Sequence, residues 1–177
     1  MSLLKHKYLE SLGSNRLIRF KKENITEELI KEISETLQAY WDEATEFPEM
    51  EMKPRWEKYL WMEEQGAYQC YTARDKGRLV GYVGYIISHT LHYGDDVQVA
   101  TSDVLYVKPE ARLQGIGKSL LMAVEKDLYK QRIAIIQNHV SARKDYSDLL
   151  VDMGYHKTDT VYSRKLYDDT ILEDTYA

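Results

Sequence analysis

The chain has 177 residues, of which 44% are hydrophobic and 30% charged, enough for one sizeable core and too few for two comfortable ones. Its formal net charge of -5 argues against nonspecific nucleic-acid binding, and its single cysteine, Cys70, excludes an internal disulfide framework and a clustered thiolate metal site. Residues 1–15 lack the apolar run of a signal peptide and no stretch is long enough to cross a bilayer, so the expectation is one cytoplasmic domain over 1–177, with 1–15 a loosely ordered extension.

Residues 16–21 alternate as a first strand. Asn24 with Glu27 makes a capping box ahead of Ile25, Leu29, Ile30, Ile33, Leu37, Tyr40 and Trp41, whose spacing predicts one amphipathic helix. An acidic, aromatic loop follows over 41–51. Pro54 suits the first turn of a second helix carrying Trp56, Tyr59, Leu60 and Met62, and Gly66 is placed to end it. Runs over 67–74 and 79–91 flank the turn Asp75-Lys76-Gly77, and another run spans 97–107, predicting an antiparallel meander. Gly115 and Gly117 open a helix over 116–129. A strand over 133–140, a helix around 145–152, a stop at Gly154 and a last strand pair near 155–166 complete an α/β chain with a mixed sheet of about six to seven strands. Among the fifteen tyrosines, Tyr82, Tyr85, Tyr93, Tyr106 and Tyr129 suit half-buried strand and core positions better than a base-stacking platform.

The junction at 107–119 carries the chemistry. Pro109 stops the strand, and Arg112, Leu113, Gln114, Gly115, Ile116, Gly117, Lys118 and Ser119 lead through a basic, glycine-containing turn into the helix. A helix's first turn leaves backbone N–H groups unpaired and carries the positive end of its dipole, so this turn predicts an anion cradle for phosphate or pyrophosphate, with Arg112 and Lys118 as flanking cations. Rival phosphate motifs fit less well: the complete Walker pattern is absent, Arg112 standing at its first glycine, and there is no three-glycine dinucleotide fingerprint.

The pattern Val107-x-Pro109-x-x-Arg112-x-x-Gly115-Ile116-Gly117, followed by Leu120 and Leu121, resembles the acetyl-CoA-binding motif of the GCN5-related N-acetyltransferase (GNAT) superfamily, and the order of predicted elements resembles that superfamily along nearly the whole chain. The resemblance implies a GNAT-like acyl-CoA N-acyltransferase fold, acetyl-CoA as cosubstrate, no metal, and acetyl transfer by direct attack of a primary amine in a ternary complex. It implies that the strands before and after the glycine-opened helix splay apart, that backbone groups at Leu105, Tyr106 and Val107 hold the thioester and pantetheine, and that residues 112–119 hold the pyrophosphate. Strand alternation predicts Asp103, Leu105 and Val107 on one face. A neutral amine is needed for attack, and Asp103 and His139 are the candidates for taking its proton, with Asn138 the inward-facing residue if the register shifts by one.

Four residues before the helix-ending glycine, where the family often has a tyrosine acid, this chain has Leu150, and Tyr146 one turn earlier is the substitute candidate. The acidic loop, with Trp41, Glu43 and Glu46, points to a cationic small-molecule or peptide acceptor such as a polyamine, an aminoglycoside or a lysine side chain. Leu150 keeps open a second class, a noncatalytic module of the same fold that binds coenzyme A or a partner protein. Residues 102–106, 137–140 and 154–166 also resemble acetyltransferase-like proteins encoded by bacteriophages, and an exposed final strand would allow a homodimer.

Overall fold

A computed structural model describes residues 18–94 and 97–166. Contacts concentrate within two units, one ending at Asp145 and the other beginning at Tyr146. The first unit holds a five-stranded sheet in the order β1-β2-β3-β4-β5. Its strands are β1 (Ile18–Lys22), β2 (Tyr68–Asp75), β3 (Arg78–His89), β4 (Gln98–Val107) and β5 (Ile135–Gln137). The first four form an antiparallel meander, and β5 joins β4 in parallel. Lys76 and Gly77 make the β2–β3 turn with φ of 50° and 88°, left-handed values that a two-residue hairpin turn requires.

Two cores lie on the two faces of this sheet. On one face α4 (Ile116–Lys130) buries Ile116, Leu120, Val124 and Leu128 against Tyr71, Val83, Tyr85 and Ala100. The spacing of those four apolar residues returns to one face about every turn, which is why this stretch is helical and why it packs there. On the other face, α1 (Glu27–Ser34), α2 (Leu37–Ala44) and α3 (Trp56–Glu64) cover Tyr68, Cys70, Leu79, Tyr82 and Tyr106.

The N-terminal helix differs from expectation at both ends. Thr26, not Asn24, is the N-cap, its side chain accepting the Leu29 N–H, while the Ile25 N–H donates to both Glu63 carboxylate oxygens at 3.1 and 3.0 Å. That tie to α3 holds Ile25 outside the helix and moves the start forward. The helix also breaks at Glu35 and Thr36. The Thr36 hydroxyl bonds the Ile33 carbonyl at 2.8 Å and lies 3.1 Å from the Tyr82 hydroxyl, competing with the regular ladder. Pro54 precedes α3 by two residues instead of opening it.

The sheet has fewer strands than the sequence suggests. The run over 133–140 shortens to Ile135–Gln137 because β5 leaves β4 there, and residues 155–166 form no strand. That last segment is almost wholly exposed, so its apolar residues have no buried face to alternate against. In the second unit, α5 (Ser147–Asp152) follows Tyr146 as its N-cap, Leu150 is its buried residue, and Gly154 follows with φ of 92°. Residues 1–15 and the first two positions of the 16–21 strand lie outside the described residues.

Candidate active site

β4 and β5 pair only over Val99↔Ile135, Ala100↔Ile136 and Thr101↔Gln137, then part. At the fork the Ser102 hydroxyl accepts the His139 N–H at 2.7 Å, and the Asn138 side-chain Oδ1 accepts the Tyr85 hydroxyl at 2.6 Å, leaving the buried Asn138 Nδ2 unpartnered. Beyond the fork one edge of β4 is open. The Lys108 N–H bonds the Val80 carbonyl, so Tyr106 and Val104 also turn their backbone groups toward β3, and the N–H groups of Leu105 and Val107 face the open side.

Asp103 sits in a bulge. Gly84 pairs with Val104 but Tyr85 pairs with Ser102, so Asp103 is an extra residue with no partner on β3. This overturns the expectation that Asp103 shares a face with Leu105 and Val107. Those two pack toward α4, whereas Asp103 and Val104 both turn to the opposite face. There the Asp103 Oδ2 accepts hydrogen bonds from the Tyr59 hydroxyl at 3.0 Å and the Tyr68 hydroxyl at 3.3 Å. Burial, and next the charge of Asp103, push both phenols well above the ordinary tyrosine range, so both stay protonated and donate.

The carboxylate opens into a cavity of about 320 Å3. Its rings are Tyr40, Trp41, Trp56, Tyr59, Tyr68 and Tyr82, and its remaining wall is Ile25, Ile33, Leu37, Met52, Pro54, Val104 and Cys70. Of the residues expected to contact the acceptor, Trp41 lies in this wall and donates its Nε1–H to the Met50 carbonyl at 3.0 Å. Glu46 is exposed and outside it. The tyrosines that hold Asp103, Tyr59 and Tyr68, escaped sequence reasoning, because one reads as a core position of a helix and the other as a strand residue.

Arg112 is not a free phosphate ligand. Its Nε donates to the Val107 carbonyl at 2.8 Å, one terminal nitrogen forks onto both oxygens of Glu43 at 2.9 and 2.8 Å, and the guanidinium lies 5.7 Å from the Tyr106 ring centroid. The same pair removes Glu43 from the acceptor role expected of it; Lys144 adds a second cation 3.7 Å from Glu43. Arg112 therefore joins the end of α2 to the end of β4.

The turn that follows is a 3₁₀ helix, Pro109–Gln114, ending at Gly115 in the left-handed conformation (φ 69°), which then serves as N-cap of α4 without a side-chain hydrogen bond. A Cβ built on Gly117 would meet nothing closer than a Val107 methyl at 3.9 Å, so packing within the protein does not require glycine there. Leu113, Lys118 and Ser119 are exposed, the Gln114 amide bonds the Glu110 carbonyl at 3.1 Å, and the Ile116 and Tyr106 side chains are buried in the two cores. His139 is exposed at the fork, and Tyr146 belongs to the second unit. Among the described residues no cluster of His, Cys, Asp and Glu is placed to hold a metal ion, and no helix is long and apolar enough to cross a membrane.

A meander joined to a parallel strand that parts beside a glycine-capped helix defines the acyl-CoA N-acyltransferase fold. The acetyltransferase (GNAT) family pattern matches residues 33–149, and the chain belongs to that family. No curated protein sequence matches it. Among solved structures it is similar to an aminoglycoside acetyltransferase from an uncultured soil metagenomic sample, solved with sisomicin (15% identity, TM-score 0.63, 84% of this chain and 96% of that one). It is also similar to a ribosomal-protein-alanine N-acetyltransferase of Brucella melitensis biovar Abortus 2308 (17%, TM-score 0.63, 84% and 98%). A third, a predicted acetyltransferase of Clostridium acetobutylicum solved with acetyl-CoA, has 13% identity and a TM-score of 0.63 over 85% and 97%.

Proposed function

We propose that this protein transfers an acetyl group from acetyl-CoA to a primary amine by direct attack in a ternary complex. The observation that carries the reading is the open edge of β4: free-facing N–H groups of Leu105 and Val107 lie between the glycine turn at one end and the Asp103 cavity on the other face of the same strand. The residues fit the cosubstrate. The uncapped first turn of α4 offers N–H groups and a positive dipole end to a pyrophosphate, Gly117 leaves room for it, and Lys118 is exposed beside it. Acetyl-CoA supplies the acetyl group as a thioester, and coenzyme A leaves as the thiol.

The protein's own work is electrostatic and positional. An N–H fixed on the open edge, aimed where an oxygen gains negative charge, contributes on the order of 3 kcal/mol, and no substitution other than proline removes it. Asp103 has Oδ2 held by two tyrosine hydroxyls, which leaves Oδ1 to attract the ammonium and accept the proton it gives up. His139, at the fork, is the second residue for proton removal. A His139→Gln variant with an unchanged pH–rate profile removes His139 from that role.

Calorimetric titration of acetyl-CoA into the intact protein and into Gly117→Trp tests the reading. Binding that disappears in the variant, followed by thiol release on adding an amine, is the expected result. Binding without thiol release over a broad amine panel leaves a noncatalytic coenzyme A module, and no binding to the intact protein overturns the proposal.

A further inference from the structure

The cavity beside Asp103 narrows the acceptor beyond "an amine". We propose that it takes a monoamine with a flat apolar body, the class of an arylalkylamine, and discriminates against polyamines and aminoglycosides; this rests on the acetyltransferase reading. Among the described residues that line the cavity, Asp103 is the single charged side chain. The acidic loop that suggested a polycation does not supply more. Glu43 is forked onto Arg112, Asp42 accepts the Gln38 amide at 2.7 Å, and Glu46, Glu49 and Glu51 lie outside the wall. One ammonium therefore finds a carboxylate, and a second would sit among rings and aliphatic groups with no counter-charge, which is strongly unfavourable.

The wall also favours an aromatic body. Tyr59 meets Tyr68 edge-on with ring centroids 4.9 Å apart and Trp56 at a tilt with centroids 5.7 Å apart, and a ring entering the cavity can add to this aromatic packing. Its volume of about 320 Å3 is at the small end for a ligand site and suits one ring on a short chain. The two hydroxyls on Oδ2 fix the carboxylate's orientation, which makes Tyr59 and Tyr68 positioning residues for the ammonium.

Trp41 and Trp56 lie in the wall, so intrinsic fluorescence reads occupancy without any acetyl transfer. The full chain is titrated with 2-phenylethylamine, with its uncharged analogue 2-phenylethanol and with spermidine. The expected order has 2-phenylethylamine at least tenfold tighter than either of the others. Asp103→Asn is expected to erase the preference for amine over alcohol, and Tyr59→Phe to weaken the amine a few fold while leaving the alcohol unchanged. Spermidine binding as tightly as 2-phenylethylamine, no binding of 2-phenylethylamine, or an amine preference that survives Asp103→Asn each overturn the proposal. If Asp103→Asn does not fold, the wild-type ranking and Tyr59→Phe decide. Failure of the acetyl-CoA titration with this selectivity intact instead removes the enzyme reading and leaves an amine-binding cavity.

Discussion

Gly84 lies opposite Val104 beside the bulge, and a Cβ built on it would overlap the Tyr68 hydroxyl and come within 3.3 Å of a Val104 methyl. The glycine makes the space through which Tyr68 reaches Asp103. Gly84→Ala should therefore displace the Tyr68 ring, cost about 1–3 kcal/mol of stability, and weaken amine binding by a larger factor than acetyl-CoA binding; thermal melting and the two titrations check this. Cys70 is 3% exposed, and burial, with the charges of Glu23 and Glu63 adding, pushes its thiol up to about 12. Native protein should resist alkylation at neutral pH over hours and react fully once unfolded, by mass spectrometry. At this scale the glycine turn was readable because it is contiguous: Arg112 to Ser119 needs no distant partner to be recognised. The side of the strand that Asp103 faces was not readable, because β4's own alternation is regular and the bulge exists only relative to Gly84 and Tyr85.

Between elements, the consequential link is Arg112 with Glu43, which are 69 residues apart. Both side chains are about seven-tenths buried and meet in a fork, with the Val107 carbonyl holding the guanidinium from behind. The segment after β5 grips the same end of α2: the Ser141 hydroxyl donates to the Ala44 carbonyl at 2.9 Å and Arg143 to the Thr45 carbonyl at 2.7 Å. A double-mutant cycle with Arg112→Gln and Glu43→Gln should give a coupling energy of about 1 kcal/mol in thermal or denaturant unfolding. Independent effects would show that the pair is incidental. By contrast, Glu46→Gln should leave amine KM within about twofold, since the side chain is exposed and outside the cavity. Helical spacing made α4 predictable to within one residue at its end, because its apolar stripe and its glycine start agree. The split of the first helix was hidden, because the Thr36 contact with Tyr82 spans 46 residues and leaves the apolar spacing untouched.

For the whole molecule, Arg74 is the hub that ties the sheet to its helical layer. It donates to both oxygens of Glu23 at 3.0 Å, to Glu32 of α1 at 2.9 and 2.6 Å, and to the Gly77 carbonyl at 2.8 Å. Against the burial of Glu23, Arg74 holds its carboxyl below the ordinary glutamate range, and it does the same for Glu32. A depressed carboxyl stabilises the fold above its unfolded-state pKa and loses that contribution as pH falls through the folded value. Melting temperature should thus drop on acidification below about pH 4.3. Arg74→Met should cost on the order of 2 kcal/mol at neutral pH and flatten that acid limb; an acid limb unchanged in the variant would refute the assignment. The meander and the parallel last strand were legible in order, because turns and glycines punctuate them. The overcounted strands were not, since the Tyr, Val and Thr residues of 155–166 suit a strand in composition while the segment itself forms none. The bulge has a last consequence. Ser102 faces the α4 core and Val104 the opposite one, so excising Asp103 would restore unbroken in–out order to β4 with every core side chain already on its proper side. The chain is thus one residue longer than an unbroken strand needs, and that surplus residue is the carboxylate; a variant lacking it should keep the sheet, leave the buried Tyr68 hydroxyl without its acceptor and lose its taste for charge.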